Sequence, residues 1–340
     1  MKRGASGHSF VVGIDKEAGH SSHSALGNIK HALGEGRVGH CGTLDPFATG
    51  VLVALIGPAT GLSKFISADR KSYEAEIVFG RSTTTDDIEG STLEYFDSLP
   101  CGYGLSEAQD AMSAFKGDIM QVPPAFSALK LAGKRAYEEA RRGNLLKLDA
   151  RPVHIHDASV IDVYEAEDEG RTVPVWKVLF DVSKGTYIRS LARDIGEAVG
   201  GGAYLRSLRR VSSGRTDISR CIPEGSDSQA LLDGALDPVE LLGFKVCFLD
   251  DEDISKVSNG MAMRSGDASF YRYFDPCGHE EDVCTTRMRR MDTGLEDGEL
   301  VSMVSPSGLK AIYRHDAAKR MLVPERVFQT EVRRGPEDIL

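Results

Sequence analysis

The sequence predicts a mixed α/β or α+β fold with a small β-rich unit at its C-terminal end, and three observations carry that expectation. Strand-like and helix-like patterns interleave without the short regular period of a doubly wound sheet. A chain of 340 residues exceeds a typical single compact core, so a large domain plus a smaller one is expected. Beyond residue 240 the composition shifts to short strand-like pieces between Gly and Asp turns.

Taken in order, Ser22 to Gly34 reads as a helix: Ser22 can cap it, Leu26, Ile29 and Leu33 share a face, and Gly34 can stop it. Residues 72–79 alternate Tyr73, Ala75, Ile77 and Phe79 against Ser72, Glu74 and Glu76, the pattern of a strand with one buried face. Ser106 and Gln109 have the spacing of a capping box before Ala108, Ala111, Met112 and Phe115, predicting a helix to about Gly117. PVWKVLFDV at 174–182 is a second strand, followed by a helix carrying Ile188, Leu191, Ala192, Ile195 and Val199 and stopped by the glycines 200–202. Those glycines lack the Lys and Ser/Thr of a nucleotide loop and read as a turn between helices. Residues 222–240 contain a short helical pattern, LLDGALDPVELL, and the strand-like pieces KVCFLD, LVSMVSP and KAIYRH then mark a C-terminal domain beginning near Val246. No repeat or low-complexity tract interrupts the chain.

Composition excludes some classes. The longest apolar stretch, Val51 to Leu62, is broken by Gly57 and Pro58 and falls short of the roughly 20 residues of a membrane span. The N-terminus has no apolar core of a signal peptide, so a cytoplasmic protein is expected. Six cysteines, at 41, 101, 221, 247, 277 and 284, form no CxxC pair; Cys277 and Cys284 flank His279 without a second ligand pair, and free thiols are the better reading.

The net charge of −10 argues against a polyanionic partner until its distribution is considered. Residues 184–215 carry seven basic side chains against two acidic ones, a net of +5, and residues 130–151 carry seven against three, a net of +4. Acids collect elsewhere, at 165–169, 250–253 and 295–299. One basic run is most simply a solvated helix face. Two runs, with Tyr137, Tyr187 and Tyr204 among them, point to nucleic acid, because phosphates attract the cations and unstacked bases the rings.

Residues 39–52, GHCGTLDPFATGVL, set Asp45 between a glycine-rich turn and an apolar stretch. This block resembles the catalytic motif of the bacterial TruB family of tRNA pseudouridine synthases. DKEAGHSS at 15–22, KSYEAEIVFG at 71–80, GDIMQVPPAFSALKLAGKRAYEEAR at 117–141 and KGTYIRSLARDIGEAVGGGAYLRSLRR at 184–210 resemble that family's other motifs, in the same order. The likeness spans roughly residues 10–215. It departs at Glu17, where proline is usual, at Cys41, where threonine is usual, and at Thr84, where an acid often stands.

The resemblance implies the pseudouridine synthase fold, a mixed and mostly antiparallel sheet flanked by helices, in residues 1–240, with an RNA-gripping insertion at 117–151 and a PUA-like domain at 246–330. It implies isomerisation of the T-loop uridine of tRNA, conventionally numbered 55, with neither cofactor nor metal, by a monomer without an obligatory protein partner and away from membranes. Asp45 would be the catalytic carboxylate, Arg189 its ionic partner, and Tyr73 the ring stacked on the flipped uracil. Tyr187 and Leu208 would line the base pocket, and His40 would replace the extruded bases. Lys16, Thr43 and Thr49 would support the loop. Without the resemblance each residue has a plainer reading: Asp45 a turn aspartate, Tyr73, Tyr187 and Leu208 packing, Arg189 a phosphate contact or a solvated position, and His40 a surface loop residue. The alternative activity is a non-catalytic tRNA-binding folding chaperone using the same groove. A guide-dependent RNA synthase subunit is a third possibility.

Overall fold

The computed structural model describes residues 7–66, 70–96, 104–126, 148–273, 288–291 and 294–335, together with the backbone of 130–131 and 134–135. Its N-terminal part is built on one large mixed sheet. The elements that frame it are β1 (Phe10–Lys16), α1 (Ser22–Leu33), β2 (Val38–Cys41), β3 (Thr49–Ile56), β4 (Arg70–Phe79), α2 (Leu105–Ser113), β5 (Gly117–Gln121), β6 (Arg151–Asp168), β7 (Arg171–Ser183), α3 (Ile188–Val199), β8 (Ala203–Ser213) and β9 (Cys221–Pro223). The strand order is β9-β1-β3-β8-β4-β7-β6-β5, with β2 beside β3. The β9–β1 and β8–β3 pairs are parallel, and the other neighbours along the path are antiparallel.

Alternation along the strands gives the sheet two apolar faces. Val12, Ile14, Leu52, Ala54, Tyr73, Ala75, Ile77 and Leu208 pack with Leu26, Ile29 and Leu33 of α1 and with Ile188, Leu191, Ala192 and Ile195 of α3. Val11, Val51, Val53 and Leu55 point the other way. Because both faces are covered, β3 is buried at every position from Gly50 to Ile56, as a continuous apolar strand should be.

What covers the second face is a seven-stranded sheet formed by β10 (Lys245–Phe248), β11 (Met263–Arg264), β12 (Tyr271–Tyr273), β13 (Met288–Arg290), β14 (Leu300–Ser305), β15 (Gly308–Asp316) and β16 (Met321–Val332), in the order β11-β16-β15-β14-β10-β12-β13. Val246, Val304, Leu309, Ile312, Phe328 and Val332 share one core with Val11, Val51, Val53 and Leu55 of the large sheet. Arg334 donates to Asp237 at 2.8 Å and to the Tyr273 hydroxyl at 2.6 Å, and Tyr273 in turn donates to Asp237, tying the chain between the sheets to the C-terminal unit.

Three local expectations are corrected. Ser21, not Ser22, caps α1 by accepting from Ser24 N at 3.1 Å; Ser22 is buried and engaged elsewhere. Ser106 and Gln109 form no capping box: α2 starts at Leu105 after Gly104, with no side-chain cap, and ends at Ser113. Gln109 instead bonds β6, donating to Ala158 O at 3.3 Å and accepting from Val160 N at 2.8 Å, because these buried backbone groups lie beyond the Arg151–Ile155 stretch that β5 pairs. The glycines 200–202 lie between a helix and a strand, not between two helices; Gly200, at φ 81°, takes the left-handed conformation that ends α3. Cys101, Tyr137, Cys277, His279, Cys284 and residues 127–129, 132–133 and 136–147 of the 117–151 insertion lie outside the described residues. Among the described residues no helix is long and apolar enough to cross a membrane, and no cluster of His, Cys, Asp and Glu could hold a metal.

Candidate active site

Residues 42–48 connect β2 to β3, and three buried polar side chains fix their path. Ser22 Oγ donates to Leu44 O at 2.9 Å and accepts from Leu44 N at 2.8 Å, so the residue before Asp45 is held on both its backbone groups. Lys16, fully buried at the end of β1, donates to Ala48 O at 2.8 Å and Pro46 O at 3.3 Å. Arg210 on β8, also fully buried, donates to Val51 O at 2.7 Å, Gly42 O at 3.0 Å and Thr43 O at 3.3 Å. Burial lowers the Lys16 pKa, as expected for an ammonium removed from water. Each cation therefore satisfies carbonyls that the tight loop leaves without partners.

Asp45 projects from this loop toward α3. Arg189, in the first turn of that helix, places Nη2 3.0 Å from Asp45 Oδ1 and Nε 2.9 Å from Oδ2. The Asp45 side chain is 32% exposed while that of Arg189 is 5% exposed, so the carboxylate faces open space with its charge partner behind it. Arg189 also lies 3.3 Å from Asp87 Oδ2 and donates to Thr85 O and Phe126 O. Asp87 is 4% exposed, and its burial raises the carboxyl pKa above the usual value against the opposing pull of Arg189 and the Thr85 hydroxyl. Arg193, one turn along α3, reaches Asp86 and Asp194.

The sheet supplies the floor. Tyr73 on β4 stands opposite Arg210 of β8 and Phe180 of β7, and Leu208 stands opposite Ala75, so period-two alternation brings Tyr73 and Leu208 to the same face. Both are buried. Tyr187, at the N-cap of α3, is held through its backbone by Gln121 at the end of β5, which accepts from Tyr187 N at 2.8 Å and donates to Tyr187 O at 3.1 Å. Asp45, Tyr73, Tyr187, Arg189 and Leu208 thus line one cleft of about 250 Å³, together with Thr43, Leu44, Lys71, Gly185, Thr186 and Ile188.

His40 is not among the lining residues. It stands on β2 opposite Ala54, half buried, and burial together with Arg210 lowers its pKa. Cys41 is buried and its thiol is pushed up to about 11, so it is neutral. Where proline is usual, Glu17 uses a backbone N–H that proline lacks, donating to Glu224 Oε2 at 3.0 Å; His20 binds the other oxygen at 2.6 Å. Asp87, Ser22, Gln121, Arg210 and Lys71 were not singled out in the sequence for the positions they hold. Their signal is three-dimensional, except that Lys71 shares the face of Tyr73 by alternation.

The first part of this architecture matches a known family profile, described as TruB family pseudouridylate synthase (N-terminal domain), over residues 30–188. The tRNA pseudouridine synthase B of Mycobacterium tuberculosis (strain ATCC 25618 / H37Rv) is 40% identical over 262 residues, 76% of this chain and 85% of the relative. That of Mycobacterium avium (strain 104) is 41% identical over 256 residues, 74% of this chain and 80% of the relative. Among solved structures, a chain of an H/ACA RNP bound to a substrate RNA containing 2'-deoxyuridine superposes with a TM-score of 0.59 at 21% identity, covering 94% of this chain and 84% of the other. A chain of a Cbf5-Nop10-Gar1 complex gives 0.58 at 22% identity, covering 95% and 85%. These structural likenesses extend the shared fold through the C-terminal sheet. With the relatives' identity over three quarters of its length, and with the expected mixed sheet in place, the chain belongs to the TruB family of pseudouridylate synthases.

Proposed function

We propose that this enzyme converts uridine 55 in the T loop of tRNA to pseudouridine, with Asp45 as its catalytic carboxylate. One observation carries the reading: a partly exposed carboxylate, ion-paired to a buried arginine, opens into a cleft whose other walls are a tyrosine ring, a second tyrosine and a leucine. The names of the relatives support tRNA as the substrate.

The reaction breaks the bond from uracil N1 to ribose C1′, forms one from C5 to C1′, and returns a proton to N1 while C5 loses its own. Asp45 is the group that acts on the ribose. Arg189 keeps it ionised and aimed. Tyr73 stacks on the flipped uracil while Tyr187 and Leu208 enclose it, and His40, outside the cleft, fills the gap left in the T loop. No redox change occurs, and no cofactor is assigned. Residues 1–240 form the catalytic unit and 246–330 a PUA-like RNA-binding unit, the whole acting as a cytoplasmic monomer without an obligatory protein partner.

The test is tritium release from unmodified tRNA carrying 5-tritiated uridine. Intact protein should release tritium stoichiometrically with T-loop pseudouridine, and Asp45→Asn should lose at least about 10⁴-fold in rate while still binding tRNA. Binding by both proteins with release by neither would favour the chaperone reading instead.

A further inference from the structure

Four cationic side chains surround the cleft and the loop that carries Asp45, and three of them have partners, Lys16 among them through the Ala48 and Pro46 carbonyls. Arg189 is held by Asp45, Asp87 and two carbonyls, and Arg210 by three carbonyls. Lys71 lines the same cleft and, among the described residues, has no hydrogen-bond or ion-pair partner. Its ammonium lies over the Gly42 turn, 3.2 Å from where a Cβ on Gly42 would stand. Gly42, at φ 81°, keeps that space open; a side chain there would meet both Lys71 Nζ and, at 3.5 Å, Arg210 Nη1. A half-buried cation next to a second cation and without a counter-ion costs the fold free energy that a methionine of similar shape would not.

We propose that Lys71 is a substrate-binding residue, the receptor for a backbone phosphate beside the nucleotide that enters the cleft. The inference rests on reading the Asp45 cleft as the site of uridine isomerisation. Phosphate is the fitting anion because every RNA nucleotide brings one, and because Asp45, the carboxylate that lines the same cleft, is already engaged by Arg189. The groups facing Lys71 are Cys41 from β2, Arg210 from β8, Tyr73 on its own strand, Thr43 and Asp45 on the loop, and Tyr187 and Arg189 from the start of α3. None of these supplies it with a free negative charge. The Cys41 thiol, pushed up to about 11, is neutral at working pH.

Burial, aided by Arg210, pushes the Lys71 pKa down to about 8 in the free protein. A phosphate partner raises it again. The contact is therefore complete below about pH 8 and is lost as pH rises through the higher value of the complex.

The experiment measures filter binding of full-length protein to an unmodified T-arm hairpin, across KCl concentration and from pH 7 to 9. It also replaces the phosphates flanking the target nucleotide one at a time by methylphosphonate. Lys71→Met should weaken binding about tenfold and flatten the salt slope by about 0.7. One methylphosphonate should impose the same loss on the intact protein and none on Lys71→Met. Lys71→Arg should bind well and lose the decline above pH 8. Lys71→Met should melt no lower than the intact protein, separating lost binding from lost fold. An unchanged salt slope, or methylphosphonate losses that add to Lys71→Met at every position, would overturn the proposal. The binding measurements need no turnover, so absence of tritium release sinks the isomerase reading alone, whereas pseudouridine formation without this coupling sinks Lys71's role alone.

Discussion

Around the large sheet the buried cations Lys16, Arg189 and Arg210 converge on one short loop and its carboxylate, whereas in the C-terminal sheet Lys245 and Lys310 pair with Glu299 and Glu331. The acids of the second group are 27% and 25% exposed, so water can take the lysine's place on either carboxylate. Asp87, behind Arg189, is 4% exposed and has no such relief. Cations of the same kind are therefore structural fasteners in one sheet and, on the proposed reading of Asp45, determinants of a reactive geometry beside the other. Burial alone does not distinguish the two uses. The direction of convergence does.

The largest test of this contrast is Arg189→Met. It strands a buried Asp87 and frees Asp45, and should cost about 3–5 kcal/mol in urea denaturation and about 10²- to 10³-fold in single-turnover tritium release. A loss of stability with the rate intact would make Arg189 a fastener like Lys245. Ser22→Ala comes next: it leaves both backbone groups of Leu44 without their partner, costing about 1–3 kcal/mol, and should slow turnover roughly tenfold by loosening Asp45. A full-speed Ser22→Ala enzyme would show that Lys16 and Arg210 hold the loop unaided. The smallest effect belongs to Lys310→Met, expected below about 1 kcal/mol and silent in turnover. A slowed Lys310→Met enzyme would break the contrast, because it would couple the C-terminal sheet to the cleft.

The sequence made the strand of Tyr73 legible because one buried face imposes period two, and the helix of Arg189 legible because its apolar side repeats at helical spacing. Both elements formed as expected, and five of the six candidate side chains share a cleft. The errors came from residues that serve two chemistries. Ser22 looked like a cap because serine caps helices, yet its hydroxyl goes to Leu44, while Ser21 takes the cap. Gln109 had the right spacing for a capping box and found backbone partners on β6 instead. Thr84 carries no acid, and Asp86 and Asp87, two and three residues on, reach Arg193 and Arg189 instead. Local pattern specifies an element; it does not specify which of two equivalent hydrogen bonds the assembled chain will make.

The placement of β8 has a consequence for how such a chain is made. Residues 203–213 insert between β3 and β4, whose own residues are complete by position 79. Until more than a hundred further residues have been synthesised, β4 waits with an open edge at the centre of the future sheet, whereas β3, already flanked by β1 and β2, leaves only Thr49 and Gly50 for β8 to meet. Such edges invite pairing with other chains. A late central strand also makes assembly dependent on long-range closure, which is slow. Nascent-chain length, more than the stability of the finished protein, then sets the window in which this enzyme is vulnerable to aggregation and most in need of chaperone protection.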